Sequence, residues 1–60
     1  MLNFTIFDYI EGVRYDFTTL SEYHKFRGAL IEDYKKQYGE KVKIVERIGE
    51  HGDISSISLK

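Results

Sequence analysis

The sequence predicts an α+β domain of order ββαββ, in which one helix packs on one face of a four-stranded, mostly antiparallel sheet. Three observations predict it. Residues 2–10 and 13–19 alternate apolar and polar groups on either side of Glu11-Gly12, the pattern of a hairpin. Residues 20–38 repeat large apolar groups at helical spacing behind a capping sequence. Residues 41–48 and 54–59 alternate again around a loop with two glycines. The whole chain, residues 1–60, is expected to form a single small domain. A chain this short buries only about 60% of its unfolded surface, so packing or self-association has to supply its stability.

The first hairpin carries apolar groups on both faces of its first strand. Leu2, Phe4, Ile6, Asp8 and Ile10 share one face, and Asn3, Thr5, Phe7 and Tyr9 the other. In the second strand Val13, Tyr15 and Phe17 share a face, and Arg14, Asp16 and Thr18 oppose them. Gly12 supplies the positive φ of a tight turn. Joining the two apolar faces selects a register with Ile6 opposite Phe17 and Asp8 opposite Tyr15. Phe7 and Tyr9 then lie beside Arg14 and Asp16, away from the core.

Thr19-Leu20-Ser21-Glu22 is a capping box, with the Thr19 hydroxyl placed to accept from the Glu22 amide. Leu20, Tyr23, Phe26, Leu30, Tyr34 and Tyr38 make one apolar helical stripe, which Ile31 widens. Glu32 and Lys36 are an i,i+4 pair. Lys35 and Lys36 suit the negative end of the helix dipole, and Gly39 is the natural stop. Gly28 falls mid-helix, where Ala would be better by about 1 kcal/mol; a backbone approaching closely there would explain it.

In the third strand Val42, Ile44 and Ile48 share a face that Glu46 interrupts, and Lys43, Val45 and Arg47 face away. Gly49-Glu50-His51-Gly52-Asp53 is read as a loop. Ile57 and Leu59 alternate with Ser56 and Ser58 in the fourth strand, while Ile54 is out of phase and implies a bulge or a strand start near Ser55. The expected core is Phe4, Ile6, Tyr15, Phe17, Leu20, Tyr23, Phe26, Leu30, Tyr34, Val42, Ile44, Ile57 and Leu59.

Two strand orders satisfy this pattern. In 2-1-4-3 the first and last strands pair in parallel at the centre; in 2-1-3-4 the sheet is fully antiparallel. The first resembles the β-grasp domains, including the small immunoglobulin-binding modules of bacteria, in length and element order across the whole chain. The resemblance implies the order 2-1-4-3, rests on layout rather than a motif, and carries no functional residues over. Ser58-Leu59-Lys60 stands where ubiquitin-like modifiers have Gly-Gly, which argues against a conjugated modifier.

Composition narrows the function classes. There is no cysteine, which excludes disulfides and thiolate metal sites. His24 and His51 are far apart in sequence; His24 lacks a ligand partner at i+4, and His51 in its acidic loop lacks a metal-ligand spacing. No cofactor or metal is expected. The net charge of −1 does not supply the footprint of a general nucleic-acid binder. The apolar runs are too short to span a bilayer, no secretory signal is evident, and a cytoplasmic setting is expected. The chain opens on Met1 and is expected to be a complete product, of the accessory kind that phages and mobile elements encode.

The face turned from a single helix should be wet and polar. Phe7, Tyr9 and Val45 break that rule there, among Arg14, Lys43 and Arg47. These six residues are the candidate partner-binding site, because an apolar patch rimmed by charges has the anatomy of an interface core. The expected partner is a protein or a second copy, met by this face or by an edge strand. Of the two expected edges, strand 3 is guarded by Lys41, Lys43, Glu46 and Arg47, and strand 2 is less protected. The competing class is single-stranded nucleic-acid binding, with Phe7 and Tyr9 stacking bases and Arg14, Lys43 and Arg47 meeting phosphates. Asp8 and Glu46 point inward; they are expected to reach solvent or to hydrogen-bond a tyrosine rather than to act as general acids. No nucleophile triad, carboxylate pair or phosphate loop is present, so no enzymatic activity is expected.

Overall fold

A computed structural model describes residues 3–60. Its elements are β1 (Phe4–Asp8), β2 (Val13–Phe17), α1 (Leu20–Tyr38), a short 3-10 turn (Gly39–Lys41), β3 (Val42–Gly49) and β4 (Gly52–Leu59). The sheet order is β2-β1-β4-β3, with β1 and β4 parallel at the centre and both outer pairs antiparallel. This is the 2-1-4-3 arrangement; the fully antiparallel alternative is not adopted. The expected inward position of Leu2 lies outside the described residues.

Local chemistry explains where α1 starts and stops. The Thr19 hydroxyl accepts from the Glu22 amide at 3.3 Å, satisfying one of the donors a helix start leaves open. Gly39 has φ 62°, and its amide donates to the Lys35 carbonyl, so the last turn closes through the left-handed conformation glycine tolerates. A β-carbon added at Gly28 would meet nothing within 4 Å, so no backbone approaches there; Gly28 is an exposed position.

The first hairpin keeps the expected faces but shifts its register by two residues. Ile6 pairs with Tyr15 and Asp8 with Val13, not with Phe17 and Tyr15. The cause is Asp8. Its Oδ1 accepts from the amides of Ile10 and Glu11, both at 3.0 Å, and its carbonyl accepts from Gly12 at 2.8 Å. These bonds close a four-residue loop, Tyr9 to Gly12, one step earlier than a burial argument would place it. An even shift leaves every side chain on its own face.

The second hairpin is tighter than expected. Gly49 pairs with Gly52, so only Glu50 and His51 form the turn, and β4 begins at Gly52. No bulge occurs at Ile54, which pairs in register with Arg47 on one side and Thr5 on the other. Gly52 is required: it has φ 122°, and a β-carbon there would lie 1.7 Å from the Asn3 carbonyl oxygen. The close approach lets the Asn3 amide donate to the His51 carbonyl at 3.0 Å.

The core centres on Phe4, Ile6, Tyr23, Tyr34 and Ile57, with Tyr15, Phe17, Phe26, Leu30 and Val42 packed against it and Ile44 half-buried. Ring contacts hold the helix on the first hairpin: Tyr15 to Phe26 at 4.6 Å, Phe17 to Phe26 at 5.3 Å and Phe4 to Tyr23 at 5.7 Å between centroids. Each such pair contributes roughly 0.5–1.5 kcal/mol beyond its buried area. Two expected core members are exposed, Leu20 at 44% and Leu59 at 41%. Each stands at the terminal position of its element, where nothing closes over it. Ile10, Ile31 and Tyr38 join the core instead.

Candidate functional site

The outer face of the sheet is built by alternation along all four strands. β1 presents Thr5 and Phe7, β2 presents Arg14 and Asp16, β3 presents Lys43, Val45 and Arg47, and β4 presents Ile54, Ser56 and Ser58. Phe7 pairs directly with Arg14 on one side and Ser56 on the other, so it sits near the middle of the sheet. Its ring stacks with Tyr9, centroids 6.1 Å apart and planes 20° apart. The Arg14 guanidinium carbon lies 5.6 Å from the Phe7 centroid, a cation–π contact.

Arg14 is held in that position. Its Nε donates to Asp16 Oδ2 at 3.1 Å, and Nη2 donates to Oδ1 at 3.2 Å. The Thr5 hydroxyl donates to the same Oδ1 at 2.8 Å. The Thr5 hydrogen bond, then that from Arg14, keeps the Asp16 carboxyl below the usual range. The charges of this corner of the face are therefore internally matched.

The opposite corner is open. Tyr9 is 64% exposed and Val45 53%, while Phe7 is half-buried. Phe7, Tyr9, Val45, Arg47, Ile54 and Ser56 line a shallow depression of about 220 Å³. A second depression of similar volume adjoins it between Tyr9, Gly12, Val13 and Arg14. Five of the six expected residues thus share one continuous surface. Lys43 lies farther along β3, opposite Ser58 and outside both depressions. Ile54 belongs to the site and was not anticipated. Its phase was the signal: three positions before the inward Ile57, it points outward without any bulge.

The helix-side face is the apolar core, but it encloses a few polar groups. Asp8 is 2% exposed and Ser55 fully buried among the apolar core. Tyr34 donates to Asp8 Oδ2 at 2.5 Å, so both Asp8 oxygens are engaged by the chain's own donors. Tyr23 Oη lies 2.5 Å from Ser55 Oγ and donates to Glu46 Oε2 at 3.1 Å. Arg27 donates to Ser55 Oγ at 2.7 Å and pairs with Glu46 at 3.3 Å. Burial first, and then the Asp8 hydrogen bond, raises the Tyr34 hydroxyl above its ordinary value of 10.0. Burial likewise raises Tyr23. Among the described residues no buried side-chain polar atom lacks a partner. Both inward carboxylates hydrogen-bond a tyrosine, as the sequence implied.

His24 and His51 are exposed, the latter 3.8 Å from Glu50. Among the described residues no cluster of His, Cys, Asp or Glu is arranged to hold a metal ion. No described helix is long and apolar enough to cross a membrane. No protein-family model, curated protein or solved structure matches the chain.

Proposed function

We propose that this chain is a small, non-catalytic binding module that docks the outer face of its sheet on a protein partner, in an accessory role. The observation that carries this reading is the open apolar corner of Phe7, Tyr9, Val45 and Ile54 on a face that a single helix leaves to solvent. Arg47 and Lys43 flank it, whereas Arg14 is already matched by Asp16. A complementary surface would offer an apolar projection for the depression and carboxylates toward β3. A cytoplasmic setting agrees with the cysteine-free sequence.

Base stacking on the same rings is the reading this one competes with. Arg14 lies over the Phe7 ring and is tied to Asp16, which removes one of the three cations and part of one stacking surface. The test is a charge-against-ring comparison. Capture of a partner protein from lysate by the immobilised chain should be lost when the chain carries Phe7→Ser with Tyr9→Ser and only weakened when it carries Arg14→Glu with Arg47→Glu. A single-stranded oligonucleotide that binds, with strong salt dependence and complete loss on charge reversal, would replace the protein-docking reading.

A further inference from the structure

We propose that β2 is a self-complementary edge through which two copies join into one continuous eight-stranded sheet. This inference concerns the edge of the sheet and does not rest on docking by its outer face. The argument begins with the direction of the backbone groups. The amides of Asn3 and Tyr9 donate to His51 and Ile57 on the β4 side. Amide directions alternate along a strand, so the even residues of β1 point to β2. Phe4, Ile6 and Asp8 are paired there with Phe17, Tyr15 and Val13. The groups of β2 left pointing to the open edge are therefore those of Arg14 and Asp16.

Only registers that match these free groups can form an antiparallel pair with a second β2. A two-fold axis at Arg14 sets arginine against arginine, and one at Asp16 sets aspartate against aspartate. An axis at Tyr15 sets Arg14 against Asp16 of the second copy, twice. It satisfies the four free amides and four free carbonyls in pairs, and the four side chains alternate in sign. The existing Arg14–Asp16 contact at 3.1 Å is kept within that square.

The same register matches the helix side of the sheet. Val13, 41% exposed, comes opposite Phe17 of the second copy. Phe17 borders a groove of about 350 Å³ along this edge, lined with Glu22, Lys25, Phe26 and Ala29, which the incoming Val13 would help to fill. Both helices lie on one side of the joined sheet. The opposite edge, β3, presents Lys43, Glu46 and Arg47 in an order that has no such two-fold match.

Mixing two charge variants tests this. Light scattering behind a sizing column, over a concentration series reaching the millimolar range, should show wild type passing from monomer to dimer. Arg14→Asp leaves two acidic groups on the edge, and Asp16→Arg leaves two basic ones; each variant alone should stay monomeric, and an equimolar mixture should recover a heterodimer. Far-UV circular dichroism confirms that each is folded. In wild type the amides of Arg14 and Asp16 should gain protection from hydrogen exchange as dimer accumulates. A wild type that remains monomeric throughout, or a dimer that survives both single variants, overturns the proposal. So does a dimer lost in Tyr9→Ser, which would place self-association on the outer face instead.

Discussion

Each face of this sheet carries exceptions to the ordinary rule of apolar inside and polar outside. The helix side buries a carboxylate, a serine and two tyrosine hydroxyls, while the solvent side exposes Tyr9, Val45 and Ile54. The misplaced groups differ in one respect. Among the described residues every buried side-chain polar atom has a partner, whereas the outward apolar groups stay exposed. Inward polarity thus positions the helix: Tyr34 reaches Asp8 at the hairpin end, and Tyr23 with Arg27 reaches Ser55 and Glu46 farther along the sheet. These bonds are directional, whereas an apolar stripe alone tolerates sliding. Outward apolarity does nothing comparable for the fold, and that is why it is the candidate for function.

Asp8→Ala should break the inner side of this contrast most severely. It leaves the Tyr34 hydroxyl buried without an acceptor and removes the bonds that close the hairpin loop. A loss of about 3 kcal/mol is expected in urea unfolding. Asp8→Asn keeps an oxygen for the loop amides and should lose less. If Asp8→Ala were neutral, the buried carboxylate would not be what fixes the register.

Tyr34→Phe removes one bond to a charged acceptor and should destabilise by roughly 1.5–2 kcal/mol. It should also change the alkaline limb of stability. The Tyr34 pKa is raised in the folded state, so the unfolded chain releases that proton first as pH rises. The contribution is fully present below about pH 10, the unfolded value, and declines as pH climbs toward the folded one. Urea midpoints measured on either side of about pH 10 should fall less steeply in Tyr34→Phe than in wild type. Tyr23, raised in the same direction, contributes to the slope that remains.

How much of this was legible from residues alone depends on which force decides each feature. The element order, the helix caps and the parity of each strand follow from short-range chemistry, and Phe7, Tyr9 and Val45 were outward by parity. The hairpin register was not legible, because burial ranks registers two residues apart almost equally; the Asp8 side chain, capping its own loop, decided between them. Ile54 departs from expectation for a related reason. An apolar residue in the wrong phase suggests a bulge, but a continuous strand that turns it outward is equally regular when that face already holds Phe7 and Val45. Periodicity places Leu20 and Leu59 in the core and both are exposed, because periodicity carries no information on how far the covering element extends.

The outer face should respond to mutation in the opposite way. Phe7→Ser removes a half-buried ring and its cation–π contact, and about 1 kcal/mol of stability should go with it. Tyr9→Ser should change stability by less than about 0.5 kcal/mol, since its ring is mostly in water and stacks only on Phe7. That smallest effect separates fold from function most cleanly. A substitution that leaves the urea midpoint unmoved while abolishing partner capture assigns the ring to recognition. If Tyr9→Ser instead destabilised the chain as much as Phe7→Ser, the outer rings would be a second, minor core, and the contrast between the faces would reduce to one of depth.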